Sequence, residues 1–375
     1  MARPLEQLTE QGVAVWVDSI ARDWMHKGEL RRLRDEYQVV GVTSNPTIFQ
    51  KAMGEGSFYD EDITRLAREG IDPRRIFELL ALDDIRAAAD DMESVYRATN
   101  GLDGRISFEL PPDIADDTDA SVRDAHRLFD ELARPNVFIK IPATAAGVPA
   151  IRASLAAGIN INVTLIFSIE RYRQVIDAFM SGLEDLAASG GDLTEIASVA
   201  SFFVSRVDTN VDKKLQAIVD KGGHEAERAA ARLGTAAIDN AKLAWAEFEE
   251  RFASDRWHAL EEAGARPQRP LWASTSTKNP NYRDVLYCEE LIARGSVNTM
   301  PIETMDAFQD HGEVRGQTIL EGMDRARRLW SDLAELDIHE AQVMDELESE
   351  GVQRFAEGYQ GAVETIEAKR SEAVR

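Results

Sequence analysis

The stretch Val137-Phe138-Ile139-Lys140-Ile141-Pro142, written VFIKIP, places one lysine inside a short apolar run. Such a run is consistent with a β-strand that is buried on both faces of a sheet. A charged ammonium is costly in those surroundings, and a buried lysine tends to lose its proton and become a nucleophile. The alternative is a lysine at a strand end, with its stem on apolar surface and its head in water.

Seven further runs are rich in β-forming residues, and segments with helical patterns lie between most of them. They are VAVWVD (13–18), VVGVTSN (39–45), RISFEL (105–110), INVTLI (161–166), SVASFFVS (198–205), RPLWAST (269–275) and SVNTMPI (296–302). Regular alternation predicts parallel strands joined by crossover helices. Eight such units favour a closed (β/α)8 TIM barrel over an open sheet.

Two regions exceed the minimal strand and helix unit. Residues from about 208 to 265 predict helices inserted before the seventh strand, and residues from about 315 to 372 predict helices after the eighth. Because single α/β barrels often grow by insertion, we interpret residues 1–375 as one barrel domain with these two additions.

The charge balance restricts the partners. With 43 Lys and Arg against 67 Asp and Glu, the net charge of -24 argues against nucleic acid or an anionic membrane as a partner. An anionic ligand therefore needs a local basic site. The single cysteine, Cys288, and the absence of an apolar leader at the N-terminus or of a membrane-length apolar run predict a cytoplasmic protein. Six scattered histidines with no ligand spacing predict no metal site.

Polar residues lie at or near the ends of six consecutive predicted strands. In a barrel of this kind, the C-terminal strand ends build the active site. Alternation along a strand puts Asn162 and Thr164 on one face, and Ser201 and Phe203 on one face. The full set is Asp18, Thr43, Asn45, Glu109, Lys140, Asn162, Thr164, Ser201 and Arg206.

Each residue has a simpler interpretation when taken alone. Asp18 could cap a following helix, and Asn45 before Pro46 could mark a turn. Glu109 could be a solvated strand end, and Arg206 could pair with Asp208 on the surface. The side chains of Asn162 and Thr164 could bond their own backbone. Their occurrence together beside a lysine favours an active site over these separate interpretations.

The chemistry that needs this set is carbon–carbon bond cleavage through a Schiff base. A neutral lysine adds to a ketose carbonyl, and the iminium withdraws electrons as the bond between C3 and C4 breaks. Glu109 or Asp18 could take the proton of the C4 hydroxyl and help to move a water during dehydration of the carbinolamine. Nucleotide-binding glycine motifs are absent from plausible strand–helix junctions, so no cofactor is expected.

Several ordered motifs resemble those of the transaldolase family, in its longer bacterial branch. They are GVTSNPTIF (41–49), VFIKIPATAAGVPAI (137–151), GININVTLIFS (158–168), ASFFVSRVD (200–208) and LWASTSTKNPNYRDVLYCEELIARGSVNTMP (271–301). The resemblance covers about residues 13–305 and implies a barrel of the class I aldolase type. It implies transfer of a dihydroxyacetone unit from sedoheptulose 7-phosphate to glyceraldehyde 3-phosphate, in the pentose phosphate pathway.

The resemblance also implies roles for individual residues. Lys140 would form the Schiff base, and Asp18 and Glu109 would be the acid/base carboxylates. Thr164 would help to hold the catalytic water, and Arg206 would bind the sugar phosphate. Substrate hydroxyls would be bound by Asn45, Asn162 and Ser201. Many family members place a second arginine after the seventh strand, where this chain has Lys278. Lysine is a point charge, so Ser274 and Ser276 are expected to supplement it.

Two other functions remain open. An aldolase that releases free dihydroxyacetone needs a water to protonate the enamine, and Phe203 would impede that water where aldolase relatives tend to carry a hydroxyl. A silent sugar-phosphate binder or helical scaffold would keep its ligand without turnover. The sequence leaves a monomer and a homo-oligomer equally open.

Overall fold

Eight parallel strands close into a barrel in the computed structural model, which describes residues 2–373. Neighbours along the chain pair with each other, and the eighth strand pairs with the first. Every strand lies within its predicted run, which confirms the (β/α)8 barrel. The strands are β1 Ala14–Asp18, β2 Val39–Thr43, β3 Arg105–Glu109, β4 Val137–Pro142, β5 Ile161–Ile166, β6 Ser198–Phe203, β7 Arg269–Ala273 and β8 Val297–Met300.

Helices surround the barrel and fill both predicted additions. They are α1 Pro4–Glu10, α2 Arg22–Lys27, α3 Glu29–Tyr37, α4 Pro46–Gly54, α5 Asp60–Arg68, α6 Pro73–Asp91, α7 Glu93–Ala98, α8 Thr118–Leu132, α9 Gly147–Ala156, α10 Ile169–Ala188, α11 Ser205–Lys221, α12 His224–Ala230, α13 Ala236–Arg251, α14 Asp255–Glu262, α15 Leu286–Glu290, α16 Ile302–His311, α17 Met323–Arg327, α18 Leu329–Ala334 and α19 Glu340–Ala373. Helices α11 to α14 lie between β6 and β7, and α16 to α19 follow β8.

The interior of the barrel is packed by side chains from facing strands. All six residues of β4 and of β5 are buried, as expected where helices cover a parallel sheet. The rings of Trp16 and Phe138 stack with centroids 6.1 Å apart. A Cβ at Gly41 would lie 2.4 Å from the Trp16 ring, so the glycine in VVGVT makes room for that tryptophan.

Helix α19 lies across the C-terminal face of the barrel. Its 34 residues span about 50 Å at a rise of 1.5 Å per residue. Gly351 packs against Leu165 of β5, where a Cβ would lie 3.0 Å from Cδ2. Gly358 packs against Thr47 at the start of α4, where a Cβ would lie 2.5 Å from Oγ1. These two glycines allow the helix to approach the mouth of the barrel closely.

Within residues 2–373, no helix combines the length and the apolar character that a membrane crossing requires.

Candidate active site

Lys140 points into the barrel and is 4% exposed. It lies on β4 in register with Glu109 of β3 and with Asn162 of β5. Its Nζ donates to Glu109 Oε2 at 3.2 Å and to the Ser44 carbonyl oxygen at 3.0 Å. The alternative of a lysine with its head in water is therefore wrong.

Glu109 is buried beside this amine. Burial raises the pKa of Glu109 to about 7, although the Lys140 charge and hydrogen bond oppose that rise. Its second oxygen, Oε1, is buried and has no hydrogen-bond partner in the described part of the chain. A buried oxygen left unbonded is costly, so this atom indicates where a water or ligand binds. Glu109 is not a solvated strand end.

Asp18 ends β1 opposite Thr43 of β2. Thr43 Oγ1 donates to Asp18 Oδ1 at 2.6 Å and lies 2.6 Å from Thr299 Oγ1 of β8. Burial raises the pKa of Asp18, while the Thr43 hydrogen bond and the Lys140 charge lower it by less. The following helix begins after Ala21 with no side-chain cap, so the capping interpretation of Asp18 is wrong.

Asn162 and Ser201 form a polar layer next to Lys140. Asn162 Nδ2 donates to Ser107 Oγ at 2.9 Å, and Ser201 Oγ donates to Asn162 Oδ1 at 2.7 Å. The Asn162 side chain thus bonds its neighbouring strands rather than its own backbone. The sequence reasoning missed Ser107, although it lies two residues before Glu109 and therefore on the same face of β3.

Thr164 lies at an irregularity in β5. The pairing with β6 shifts between Val163 and Ile166, and Leu165 has a positive φ of 59°. Such bulges redirect side chains and are common beside active sites. Thr164 is completely buried, and its Oγ1 has no hydrogen-bond partner within residues 2–373. It therefore offers a second free position for a water.

Asn45 begins helix α4 just after β2. Its side-chain oxygen accepts from Ile48 N at 3.1 Å, so it is a helix cap rather than a simple turn residue. It also lines a cavity of about 20 Å³ together with Glu109 and Phe49, which is enough room for one water. The cap fixes Asn45 at the barrel mouth.

Arg206 and Phe203 lie together where β6 meets α11. The Arg206 guanidinium carbon is 5.1 Å from the centre of the Phe203 ring, which also packs against Phe167 at 5.3 Å. Arg206 Nη1 is buried without a hydrogen-bond partner in the described residues. Asp208 instead accepts from Tyr287 Oη at 2.7 Å. The predicted alternative of an Arg206–Asp208 surface pair is therefore wrong.

Lys278 is exposed in the loop after β7, and its Nζ donates to Ser276 Oγ at 2.6 Å. Ser274 Oγ lies 2.9 Å from Ser205 Oγ, at the start of α11. Arg206, Ser274 and Lys278 line one side of a cavity of about 910 Å³. The expected anion site is thus brought together by β6, β7 and α11.

Helix α19 adds residues that the sequence reasoning missed. The Phe355 ring lies with its centre 5.7 Å from Lys140 Nζ, and Arg354 lines the cavity beside Arg206. No local motif marks these positions, because their importance depends on where the helix docks.

Other reactive groups lie apart from this cluster. Among residues 2–373, no group of three or more His, Cys, Asp or Glu side chains is arranged to hold a metal ion. Burial raises the pKa of Cys288 to about 12, so its thiol is a poor nucleophile.

Comparisons with known proteins agree over nearly the whole chain. A family model described as transaldolase/fructose-6-phosphate aldolase matches residues 15–366, from β1 into α19. The chain is 49% identical over 366 residues to a transaldolase of Thermobifida fusca, with 98% of each chain covered. It is 49% identical over 366 residues to a transaldolase of Parafrankia sp., also covering 98% of each. It is 50% identical over 355 residues to a transaldolase of Acidothermus cellulolyticus, covering 95% of this chain and 94% of that one.

Proposed function

The chain belongs to the transaldolase/fructose-6-phosphate aldolase family, and on that premise we propose how its barrel mouth performs the transaldolase reaction. A dihydroxyacetone unit passes from sedoheptulose 7-phosphate to glyceraldehyde 3-phosphate, giving erythrose 4-phosphate and fructose 6-phosphate. This is the transaldolase step of the non-oxidative pentose phosphate pathway, which the resemblance of the motifs implies. The observation that carries the proposal is the buried Lys140 amine 3.2 Å from Glu109.

Glu109 activates Lys140 by accepting its proton. Its pKa of about 7 lets the carboxylate take a proton from the adjacent ammonium and later return it near neutral pH. The freed amine adds to the ketose C2 carbonyl and forms a carbinolamine. Glu109 then protonates the C2 hydroxyl, which leaves as water and produces the iminium.

Asp18 handles the proton of the C4 hydroxyl. Glu109 is hydrogen-bonded to the amine, whereas Asp18 is hydrogen-bonded to Thr43 of β2, so we assign the two carboxylates to different atoms. Asp18 removes the hydroxyl proton, the C3–C4 bond breaks, and its electrons move into the iminium to give an enamine. Erythrose 4-phosphate leaves as the aldehyde.

The second half of the reaction reverses these steps. The enamine carbon attacks the aldehyde carbon of glyceraldehyde 3-phosphate, and Asp18 returns its proton to the new C4 hydroxyl. A water then hydrolyses the iminium and releases fructose 6-phosphate. Glu109 Oε1 and Thr164 Oγ1 hold this water, and the support is that both are buried and unbonded among the described residues.

Polar groups around the amine bind the rest of the sugar. Asn45 keeps its amide NH2 for a substrate hydroxyl while its oxygen caps α4. Asn162 keeps a second lone pair on Oδ1, and Ser201 lies beside it. Arg206 and Lys278 bind the phosphate at the cavity beyond Phe203.

Phe203 favours transfer over release. It is 7% exposed and packs between Phe167 and Arg206. An apolar ring here keeps water from protonating the enamine before the acceptor arrives. This distinguishes the proposed function from that of an aldolase that frees dihydroxyacetone.

We further propose that the chain acts as one barrel domain in the cytoplasm, without nucleic-acid or membrane partners. Two contacts of α13 support the single domain: Asn240 Nδ2 donates to the Phe167 carbonyl after β5, and Lys242 Nζ donates to the Glu321 carbonyl, each at 2.8 Å. The net charge of -24 supports the absence of polyanionic partners.

The test is to trap the Schiff base. The protein is incubated with fructose 6-phosphate, reduced with borohydride and analysed by intact and peptide mass. We expect one reduced three-carbon unit on Lys140. Lys242 provides a matched control because it is also a buried lysine. The Lys140→Met protein should lose the adduct and turnover with its fold retained, and Lys242→Met should keep the adduct. Absence of an adduct in folded wild-type protein would favour a silent binder.

A further inference from the structure

The cavity of about 910 Å³ beside the barrel mouth has an unusual charge for this protein. Helix α11, the loop after β7 and helix α19 form its walls. Five basic side chains line it in a chain whose net charge is -24: Arg206, Lys213, Lys214, Lys278 and Arg354. An anion that approaches this acidic protein would therefore be attracted to this cavity.

The carboxylates in the cavity leave most of that charge uncompensated. Glu346 is already bonded by Lys214 at 2.5 Å and by Asn210 at 2.9 Å. Glu350 is 3.9 Å from Arg354, one helical turn away on α19, a distance too long for a hydrogen bond. Arg354 is thus held loosely and can change partners.

Arg206, Lys278 and Arg354 are close enough to repel each other. Burial lowers the pKa of Arg206, and the charge of Arg354 lowers it further. Although the Lys278 side chain is largely exposed, partial desolvation is the main cause that lowers its pKa, and the charges of Arg206 and Arg354 lower it further. The three cations outnumber the carboxylates that line the cavity beside them, and within residues 2–373 the buried Arg206 Nη1 has no hydrogen-bond partner. Such a site is stabilised when a dianion enters.

We propose that Arg354 of α19 is a substrate-binding residue that contacts the sugar phosphate together with Arg206 and Lys278. The inference rests on the proposed function and adds a ligand from the C-terminal helix. Lys278 presents a point charge without a planar fork, and Arg354 supplies a second fork to the cavity beside that of Arg206. Binding moves Arg354 from Glu350 to the phosphate.

This contact also couples the phosphate to the reacting amine. Phe355 follows Arg354 in the chain, and its ring centre is 5.7 Å from Lys140 Nζ. A phosphate bound to Arg354 therefore holds Phe355 over the Schiff base, where the ring excludes water. A donor without phosphate lacks this effect.

The experiment compares phosphorylated and unphosphorylated ligands. Steady-state KM for fructose 6-phosphate and competitive inhibition by inorganic phosphate report the anion site. The rate at which dihydroxyacetone forms a reducible adduct on Lys140 reports on the reactivity of the amine alone. We expect Arg354→Met to raise the KM and the phosphate inhibition constant about tenfold or more, with a much smaller effect on the dihydroxyacetone adduct. Arg354→Lys should restore part of the loss.

Two further variants control the result. Arg370→Met removes the same charge from α19, about 24 Å further along the helix, and should change neither constant. Glu350→Gln removes the resting partner of Arg354 and should lower the phosphate inhibition constant, which tests the site even if Arg354→Met folds poorly.

The possible failures are distinct. An unchanged phosphate inhibition constant in folded Arg354→Met would overturn the inference, and so would an equal loss with dihydroxyacetone, because that loss would mark a structural role for the helix. A wild-type protein that forms no adduct with dihydroxyacetone would instead overturn the proposed function.

Discussion

Replacing Glu109 with glutamine removes the group that accepts the Lys140 proton while keeping a side chain of similar shape. Burial raises the pKa of Glu109 to about 7. Below this value Glu109 is mostly protonated and cannot accept the Lys140 proton, whereas above it the carboxylate can. The fraction of Glu109 in the carboxylate form is about 0.1 at pH 6 and about 0.9 at pH 8, so Schiff-base formation should be roughly tenfold faster at pH 8.

The Glu109→Gln protein should lose this pH dependence and react about 10² to 10⁴ times more slowly at pH 8, the usual contribution of a positioned acid/base group. The assay follows the intact mass of the adduct with dihydroxyacetone after reduction with cyanoborohydride from pH 5.5 to 8.5. Dihydroxyacetone has no phosphate, so the ionisation of a phosphate near pH 6 does not affect the profile. A Glu109→Gln protein that kept the tenfold rise between pH 6 and pH 8 would refute the role of Glu109.

Phe203→Tyr adds a hydroxyl to the ring and should increase the release of free dihydroxyacetone from fructose 6-phosphate alone. The measurement is the ratio of this release rate to the rate of transfer to glyceraldehyde 3-phosphate. An unchanged ratio would contradict the role of the ring. Burial, followed by the nearby Asp212, raises the pKa of Asp208 from 3.8 to about 7, so the folded protein loses stability as pH rises between these values. Asp208→Asn removes that loss, and its gain in unfolding free energy by urea titration should be about 2 to 3 kcal/mol larger at pH 8 than at pH 5. Equal gains at both pH values would show that Asp208 does not titrate in this range.

Part of the active site could be predicted because a buried strand can be recognised from its own apolar run. Asp18, Glu109 and Lys140 end or interrupt apolar runs, and parallel strands bring their C-terminal ends to one face of a barrel. Ser107 was within reach of the same argument, since alternation puts it on the face of Glu109. The pKa of Glu109 was not predictable, because it depends on how completely other elements exclude water.

The sequence by itself determined the eight strands, their parallel order and the family, because strands buried on both faces appear as apolar runs in which each polar residue stands out. The tertiary structure alone decided the place of α19. Its glycines and apolar residues predict a packed helix but not the surface that it covers. Arg354 and Phe355 meet Arg206 and Lys140 only because Gly351 and Gly358 let that helix pack on β5 and α4. Contacts between residues so distant in the chain follow from shape complementarity, which no local pattern encodes.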